Sequence, residues 1–280
     1  MKTIMVYDYT FADLNFRLIS DNEIIQNGFA PVFKSNFASP DVTLFLKRGD
    51  VPQSTVPVFH SNTVGVDENG AVLIYDLGTE QNGLLIQKEA VPGEYTVIYN
   101  NEKYLEGRYL FGLMDLQGIL TCFDRVMFHS SFILYKGRAV LFSGKSGIGK
   151  STQANLWRQF AGAEIINGDK AVLYIKDGVP YVSSLPVAGT SGICKNTSVP
   201  LGAVVFLAQG KVNTVTVLSR FDAVIAGLKN CIIDIWRSGE TDCCLDLLAK
   251  IFDKAPAFSF TCLKDESAVD VLKNVLEQKL

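Results

Sequence analysis

The sequence contains few of the residues that build metal sites or disulfide frameworks. Its 280 residues include six cysteines and only two histidines. None of the cysteines has C-x-x-C spacing, so we do not expect a zinc site. The N-terminal segment has an acid at Asp8, too early for a secretory signal peptide. We therefore expect reduced thiols and a cytoplasmic protein.

Long runs of one chemical character are also missing. No stretch approaches the roughly 18 apolar residues of a membrane-spanning helix, so we expect no membrane partner. Lys and Arg number 26 against 29 Asp and Glu, a net charge of −3 without a long basic run. This balance argues against nucleic-acid binding through phosphate neutralisation. The remaining composition, 48% hydrophobic and 20% charged, is that of a globular protein, and the length predicts about two domains.

Residues 1–125 are predicted to form a β-rich region. Short segments rich in β-branched and aromatic residues alternate here with turn signals such as Asn69-Gly70 and Pro92-Gly93. The clearest predicted strands are 42–46, 71–75 and 95–99. We expect them to pair antiparallel, and we expect an apolar helix from Tyr109 to Phe123 to lead into the second domain.

Residues 126–280 are predicted to form an α/β domain with a mixed sheet and flanking helices. Strands are expected at 127–135 and 138–143, and a helix at 151–160 ends near Gly162. The last helix has Val269, Leu272, Val275, Leu276 and Leu280 on one face, and Ser267 with Asp270 suggests a capping box at its start.

The strongest motif is Gly144-Lys145-Ser146-Gly147-Ile148-Gly149-Lys150-Ser151, which satisfies G-x-x-x-x-G-K-[ST]. An apolar strand precedes it and a helix-forming run follows, as a phosphate-binding loop requires. Its backbone N–H groups and the helix N-terminus would surround phosphate oxygens. We expect Lys150 to contact the β- and γ-phosphates and Ser151 to bind Mg²⁺. Residues 144–152, ending at Thr152, are the predicted nucleotide site, and the predicted ligands are ATP and Mg²⁺.

Such a loop also requires a carboxylate near the metal. Asp169 ends a predicted strand 18 residues after Ser151, a distance that one helix and a return strand would span. Asp234 also ends an apolar run and is the rival candidate. We favour Asp169, because Ile235-Trp236 after Asp234 suggest an ordinary helix or strand-edge acid.

With these residues in place, the second half resembles the HPr kinase/phosphorylase family, which shares a nucleotide core with ATP-dependent phosphoenolpyruvate carboxykinase. The resemblance covers about 126–174 well and 186–207 loosely. It rests on His129, fifteen residues before Gly144, on the loop itself and on Gly168-Asp169, where the family has an acidic pair. It implies a P-loop kinase core that moves the γ-phosphoryl group of ATP to a hydroxyl, plausibly on a serine of a peptide or protein or on a small compound.

The same resemblance implies roles for individual residues. Asp169 takes the metal role, but Gly168 stands where the family has the acid linked with proton transfer. His129 could exchange that proton or hydrogen-bond the γ-phosphate. A cation for the transferring group could come from Lys195, in the polar loop 186–196, or from Arg220 or Arg237 in helical segments.

One alternative function stays open at this stage. The loss of an acid at Gly168 favours a catalytically weakened nucleotide-binding module that acts as a switch or scaffold. His60, in the β-rich region, has no such support and is taken as structural. The sequence leaves homo-oligomerisation open.

Overall fold

A computed structural model describes most of the chain. The described residues are 3–51, 59–60, 64–67, 70–75, 82–189, 191–234, 237 and 239–279. The chain divides into two compact units, Met1–Ile119 and Leu120–Leu280. Five predicted features lie outside the described residues: the turn residue Asn69, the loop residue Thr190, the pair Ile235-Trp236, the helix residue Leu280 and the side chain of His60.

An eight-stranded sheet dominates the first unit. Its strands are β1 (Met5–Phe11), β2 (Leu14–Ser20), β3 (Val42–Arg48), β4 (Phe59–His60), β5 (Val64–Val66), β6 (Val72–Tyr75), β7 (Asn82–Lys88) and β8 (Glu94–Tyr99). They lie side by side in the order β1-β2-β3-β8-β7-β6-β5-β4. Two 3₁₀ turns, Ala30–Phe33 and Glu102–Leu105, lie in this unit together with the short helix α1 (Gly107–Leu110).

The expectation of an antiparallel sheet is wrong for one strand, β3. β3 pairs in parallel with both β2 and β8, while the other neighbours are antiparallel. A parallel pair needs a long crossover connection, and residues 21–41 supply one between β2 and β3. Strand composition alone does not reveal this, because the same β-branched residues serve both kinds of pairing.

The predicted helix from Tyr109 to Phe123 is also wrong as a single helix. The segment forms α1 and a second helix, α2 (Leu116–Thr121). Asp115 between them has a φ of 49°, a left-handed conformation that a right-handed helix does not accommodate. Phe111 is buried edge-on against Phe11, with ring centroids 5.4 Å apart. Burial of this ring accompanies the break in the helical pattern.

The second unit is a mixed α/β structure. Its strands are β9 (Val126–Tyr135), β10 (Arg138–Ser143), β11 (Glu164–Asn167), β12 (Lys170–Lys176), β13 (Val179–Ser183), β14 (Ser198–Gln209), β15 (Thr214–Val217), β16 (Cys231–Ile232) and β17 (Ala257–Cys262). The main path is β10-β9-β12-β13-β14-β17-β15, and β11 and β16 pair with β9. Because β10 also pairs in parallel with β14, the path from β10 through β13 and β14 returns to β10.

Helices cover two faces of this sheet. They are α3 (Lys150–Ala161), α4 (Arg220–Leu228), α5 (Glu240–Phe252) and α6 (Glu266–Leu276). Leu141 of β10 belongs to the apolar cluster that α4 and α5 complete, whereas its neighbour Phe142 belongs to the cluster with α3 and α6. Successive side chains of a strand point to opposite faces, so the sheet lies between two helical layers. Its parallel strands β10, β14 and β17 bring their carboxyl ends to one edge, where α/β folds bind ligands.

Two smaller expectations need correction. Helix α6 is capped by Asp265, whose side chain accepts from the backbone N–H of Ser267, rather than by a Ser267–Asp270 box. Arg237 precedes α5 and is not helical. Within the described residues, no helix has both the length and the apolar character that a membrane crossing demands.

Candidate functional site

The loop between β10 and α3 adopts a backbone conformation that requires glycine at two positions. Gly147 and Gly149 have φ values of 76° and 118°, in the positive region that residues other than glycine rarely adopt. A Cβ atom at either position would meet open space. The requirement for glycine is therefore one of backbone conformation, since there is room for a side chain.

Lys150 opens α3, and its side chain folds back over the loop. Its ammonium donates to the carbonyl oxygens of Gly144 at 2.9 Å and Lys145 at 3.3 Å, and the residue is only 7% exposed. Burial lowers the pKa of this amine, and the charge of Asp169 opposes that shift. Ser151 and Thr152 follow in the exposed first turn, at the positive end of the helix.

Asp169 stands in a turn that Asn167 builds. The fully buried Asn167 accepts, through Oδ1, from the backbone N–H groups of Asp169 and Lys170, both at 3.0 Å, and its Nδ2 donates to the carbonyl of Val187 at 2.9 Å. The carboxylate of Asp169 lies 3.7 Å from the ammonium of Lys170. Asn167 was not among the predicted site residues, although an Asn two residues before a strand-end acid is a recognised turn signal.

His129 lies in β9, opposite Lys170 in the register. Its backbone N–H donates to the carbonyl of Asn230 at 2.8 Å, and its carbonyl accepts from the Ser143 hydroxyl at 2.8 Å. Burial lowers the pKa of the imidazole, and the nearby ammonium of Lys150 lowers it further, while Asp169 acts in the opposite direction. These surroundings favour the neutral ring, whose unprotonated nitrogen is free to take a proton from a donor.

One cavity brings most of the predicted residues together. It has a volume of about 290 Å³ and is lined by His129, Ser146, Gly147, Gly149, Lys150, Ser151, Thr152, Gly168 and Asp169. We call it the first cavity. Of the remaining loop residues, Lys145 and Ile148 line a neighbouring cavity, and Gly144 accepts the hydrogen bond from Lys150.

Gly168 is in close contact with the loop that follows β13. A Cβ atom on Gly168 would lie 2.0 Å from the Ser191 hydroxyl oxygen and 2.6 Å from the Ser191 Cβ. The carbonyl of Gly168 accepts from the Ser131 hydroxyl at 3.0 Å. Gly189 of the same loop lies against Asp169, because a Cβ there would come 2.7 Å from the Asp169 carboxyl carbon. Loop residues thus take the space beside both members of the Gly168-Asp169 pair.

The rival acid Asp234 belongs to a different cluster. Its carboxylate lies 3.3 Å from Arg237 Nε, and its backbone N–H donates to Glu240 at 3.1 Å. Burial raises the pKa of Glu240, and the charge of Asp234 adds to that effect. In the described part of the chain, Asp234 is not among the residues that line the first cavity.

The three cations considered from the sequence all have other partners. Lys195 pairs with Glu164 at 2.5 Å, and Arg237 with Asp234. Arg220 donates to the carbonyl of Ala249 at 3.3 Å and lies 3.6 Å from Asp253. None of the three is in the lining of the first cavity as the described residues form it.

Comparison with known proteins gives a family match and a weak likeness to solved structures. The family model described as "SynChlorMet cassette protein ScmC" matches residues 119–258, half of the chain. Among solved structures, the Hpr(Ser) kinase/phosphatase from Coxiella burnetii is similar at 12% identity and a TM-score of 0.32. The match covers 55% of this chain and 97% of that one. No curated protein matches this chain.

Proposed function

The chain belongs to the family of SynChlorMet cassette protein ScmC, and we propose that it is an ATP- and Mg²⁺-dependent phosphotransferase. In this proposal it moves the γ-phosphoryl group of ATP to a hydroxyl acceptor, a serine of a peptide or protein or a small hydroxyl compound. One observation carries the proposal. The first cavity holds an amine, a hydroxyl, a carboxylate and an imidazole, from Lys150, Ser151, Asp169 and His129, beside a glycine-rich loop at a helix N-terminus.

The residues of the first cavity fit a magnesium–triphosphate complex. Mg²⁺ prefers oxygen ligands, and proteins commonly hold it with one or two side chains while phosphate oxygens and waters complete the shell. Ser151 and Asp169 supply a hydroxyl and a carboxylate in the same cavity. When bound, the ion would neutralise charge on the phosphate oxygens during transfer.

The chain's own residues account for binding and orientation. The backbone N–H groups at the start of α3 are not used within the helix, so they are free to donate to phosphate oxygens. Lys150 adds a positive charge whose desolvation strengthens its attraction to phosphate. Asn167 accepts from the backbone N–H of Asp169 and thereby fixes the backbone position from which the carboxylate extends.

His129 is the proposed proton acceptor. The acceptor oxygen forms a bond to the γ-phosphorus, the bond from phosphorus to the ADP oxygen breaks, and the hydroxyl proton passes to an imidazole nitrogen. A lowered pKa keeps His129 neutral and therefore able to accept that proton at pH 7. His129 would therefore receive the hydroxyl proton, a role that Gly168 cannot fill because it has no side chain.

Gly168 supports a second candidate function. If no group replaces the missing acid, the protein would bind Mg-ATP without transferring phosphate and would act as a switch or scaffold. The close approach of Ser191 to Gly168 favours this alternative, because it leaves no space for an acid at that position.

A transfer assay distinguishes the two functions. The full chain would be incubated with γ-³²P-labelled ATP, Mg²⁺ and either a serine-containing peptide library or free serine. We expect label on an acceptor, and a rate about 10²–10⁴-fold lower for His129→Ala with little change in ATP affinity. His60→Ala, the variant of the only other histidine in the sequence, is the matched control. Tight Mg-ATP binding without transfer to any acceptor or to water would favour the switch.

A further inference from the structure

A second cavity lies beside the loop between β10 and α3. It has a volume of about 770 Å³ and is lined by Lys145, Ser146, Gly147, Ile148, Leu207, Ala208, Gln209, Lys229 and Asn230. Ser146 and Gly147 line both cavities, so the two cavities adjoin at this loop. The second cavity is within the size range of small-molecule sites, and it is larger than the first cavity, whose volume is about 290 Å³.

The lining of the second cavity is positively charged. Lys145 and Lys229 contribute two ammonium groups, and none of its described lining residues is an acid. Both lysines are exposed. Neither ammonium has an ion-pair partner among the residues that the structure describes. Two cations facing one cavity without a carboxylate favour an anionic ligand.

The rest of the lining combines amides with apolar carbon. Gln209 and Asn230 provide amide groups, while Ile148, Leu207 and Ala208 provide apolar surface. Gln209 lies near the loop, 3.5 Å from the carbonyl of Gly147 and 3.4 Å from that of Ile148. A ligand that places an anion on the lysines would meet donors and acceptors for a hydroxyl or amide nearby.

Backbone contacts connect this cavity to His129. The carbonyl of Asn230, in the wall of the second cavity, accepts from the backbone N–H of His129, in the wall of the first, at 2.8 Å. A direct hydrogen bond therefore joins a residue that lines the second cavity to the proposed proton acceptor.

We infer that the second cavity binds the phosphoryl acceptor, and that this acceptor carries a carboxylate recognised by Lys145 and Lys229. The inference rests on the proposed function and specifies its substrate class. The carboxylate could belong to a small hydroxy acid or to the free C-terminus of a peptide.

Paired probes that differ only in the carboxylate test the inference. Calorimetry would compare glycerate with glycerol, and the peptide Gly-Gly-Ser with its C-terminal amide, on the full chain with and without Mg²⁺ and a non-hydrolysable ATP analogue. We expect at least one acid to bind about 10- to 100-fold more tightly than its neutral partner, as a charge-assisted contact implies. The pair that shows the larger ratio identifies the source of the carboxylate.

Charge variants assign the effect to the cavity. Lys229→Ala should weaken the preference for the acid, because only Lys145 then remains to bind the carboxylate, and Lys279→Ala, which removes an exposed lysine outside both cavities, should preserve it. Equal binding of acid and neutral probes, no binding of either, or an unchanged preference in Lys229→Ala would overturn the inference. Displacement of the acid by the ATP analogue would also overturn it, because the nucleotide would then occupy this cavity.

The same titrations separate this inference from the proposed function. Binding of Mg²⁺ and the ATP analogue is measured on the same samples without any acid. If the analogue fails to bind while the acid preference depends on Lys229, a carboxylate site remains in the second cavity, but its role as an acceptor site fails together with the kinase proposal. If the analogue binds and no acid preference exists, only the cavity assignment fails.

Discussion

The contact between Gly168 and Ser191 gives a quantitative prediction for Gly168→Ala. The new Cβ would lie 2.0 Å from the Ser191 oxygen and 2.6 Å from its Cβ, so Ser191 must move by about 1 Å or more to restore ordinary contact. Its loop is held by bonds from Asn167 to Val187 and from Lys195 to Ile166, both 2.9 Å. We therefore expect a loss of about 1–3 kcal/mol, the usual cost of overpacking.

A double-mutant cycle attributes this loss to the contact. Ser191→Gly removes both clashing atoms, so Gly168→Ala in that background should cost less than half as much. Urea unfolding, followed by fluorescence of the buried Trp157, measures each variant. A Gly168→Ala protein as stable as the parent, or one whose loss is the same with Ser191→Gly, would refute the steric argument.

Three further predictions concern Asp169, Asn167 and His129. Asp169→Asn should remove the increase in ATP affinity that Mg²⁺ causes in calorimetry. Asp234→Asn should retain this increase, because the Asp234 carboxylate pairs with Arg237 instead. The reverse ranking would move the metal site to Asp234. Asn167→Ala should lower the free energy of unfolding by about 2–4 kcal/mol, because it leaves buried N–H and C=O groups without partners; a loss below about 0.5 kcal/mol would contradict the proposed turn. The pKa of His129 is lower in the folded protein than its unfolded value of 6.5. The neutral ring therefore contributes its full stabilisation above pH 6.5. This contribution is lost as the pH falls from 6.5 through the pKa of the folded protein. Urea unfolding across this pH range should therefore show that the free energy of unfolding falls more steeply toward low pH for the parent than for His129→Asn. The same slope for both proteins would count against a lowered pKa.

The local elements of the second unit were largely predictable from sequence. The strand before the loop, predicted at 138–143, matches β10, and the helix predicted at 151–160 lies within α3. These elements have clear local causes: a run of apolar β-branched and aromatic residues, a glycine-rich loop and a glycine after the last helical turn. Local signals of this kind survive in the folded chain because packing agrees with them.

Features that depend on distant contacts were not predictable. The parallel pairing of β3 depends on a crossover of about twenty residues, and the break at Asp115 accompanies the burial of Phe111 against a strand a hundred positions earlier. The same limit applies to the second cavity. Lys229 and Lys145 are 84 positions apart, and nothing in the local sequence around either one indicates that they line one cavity.

Calorimetric titration of Mg-ATP into the full chain and its Lys150→Ala variant tests the central claim most directly. The account predicts binding to the parent and an affinity about 10- to 100-fold lower for the variant, since a desolvated ammonium–phosphate contact contributes roughly 1.5–3 kcal/mol. Lys211→Ala, at an exposed site outside both cavities, should bind as the parent does. Thermal melts confirm that each variant is folded. Equal Mg-ATP affinity in the parent and Lys150→Ala, or no binding to the parent, would contradict a nucleotide site at this loop.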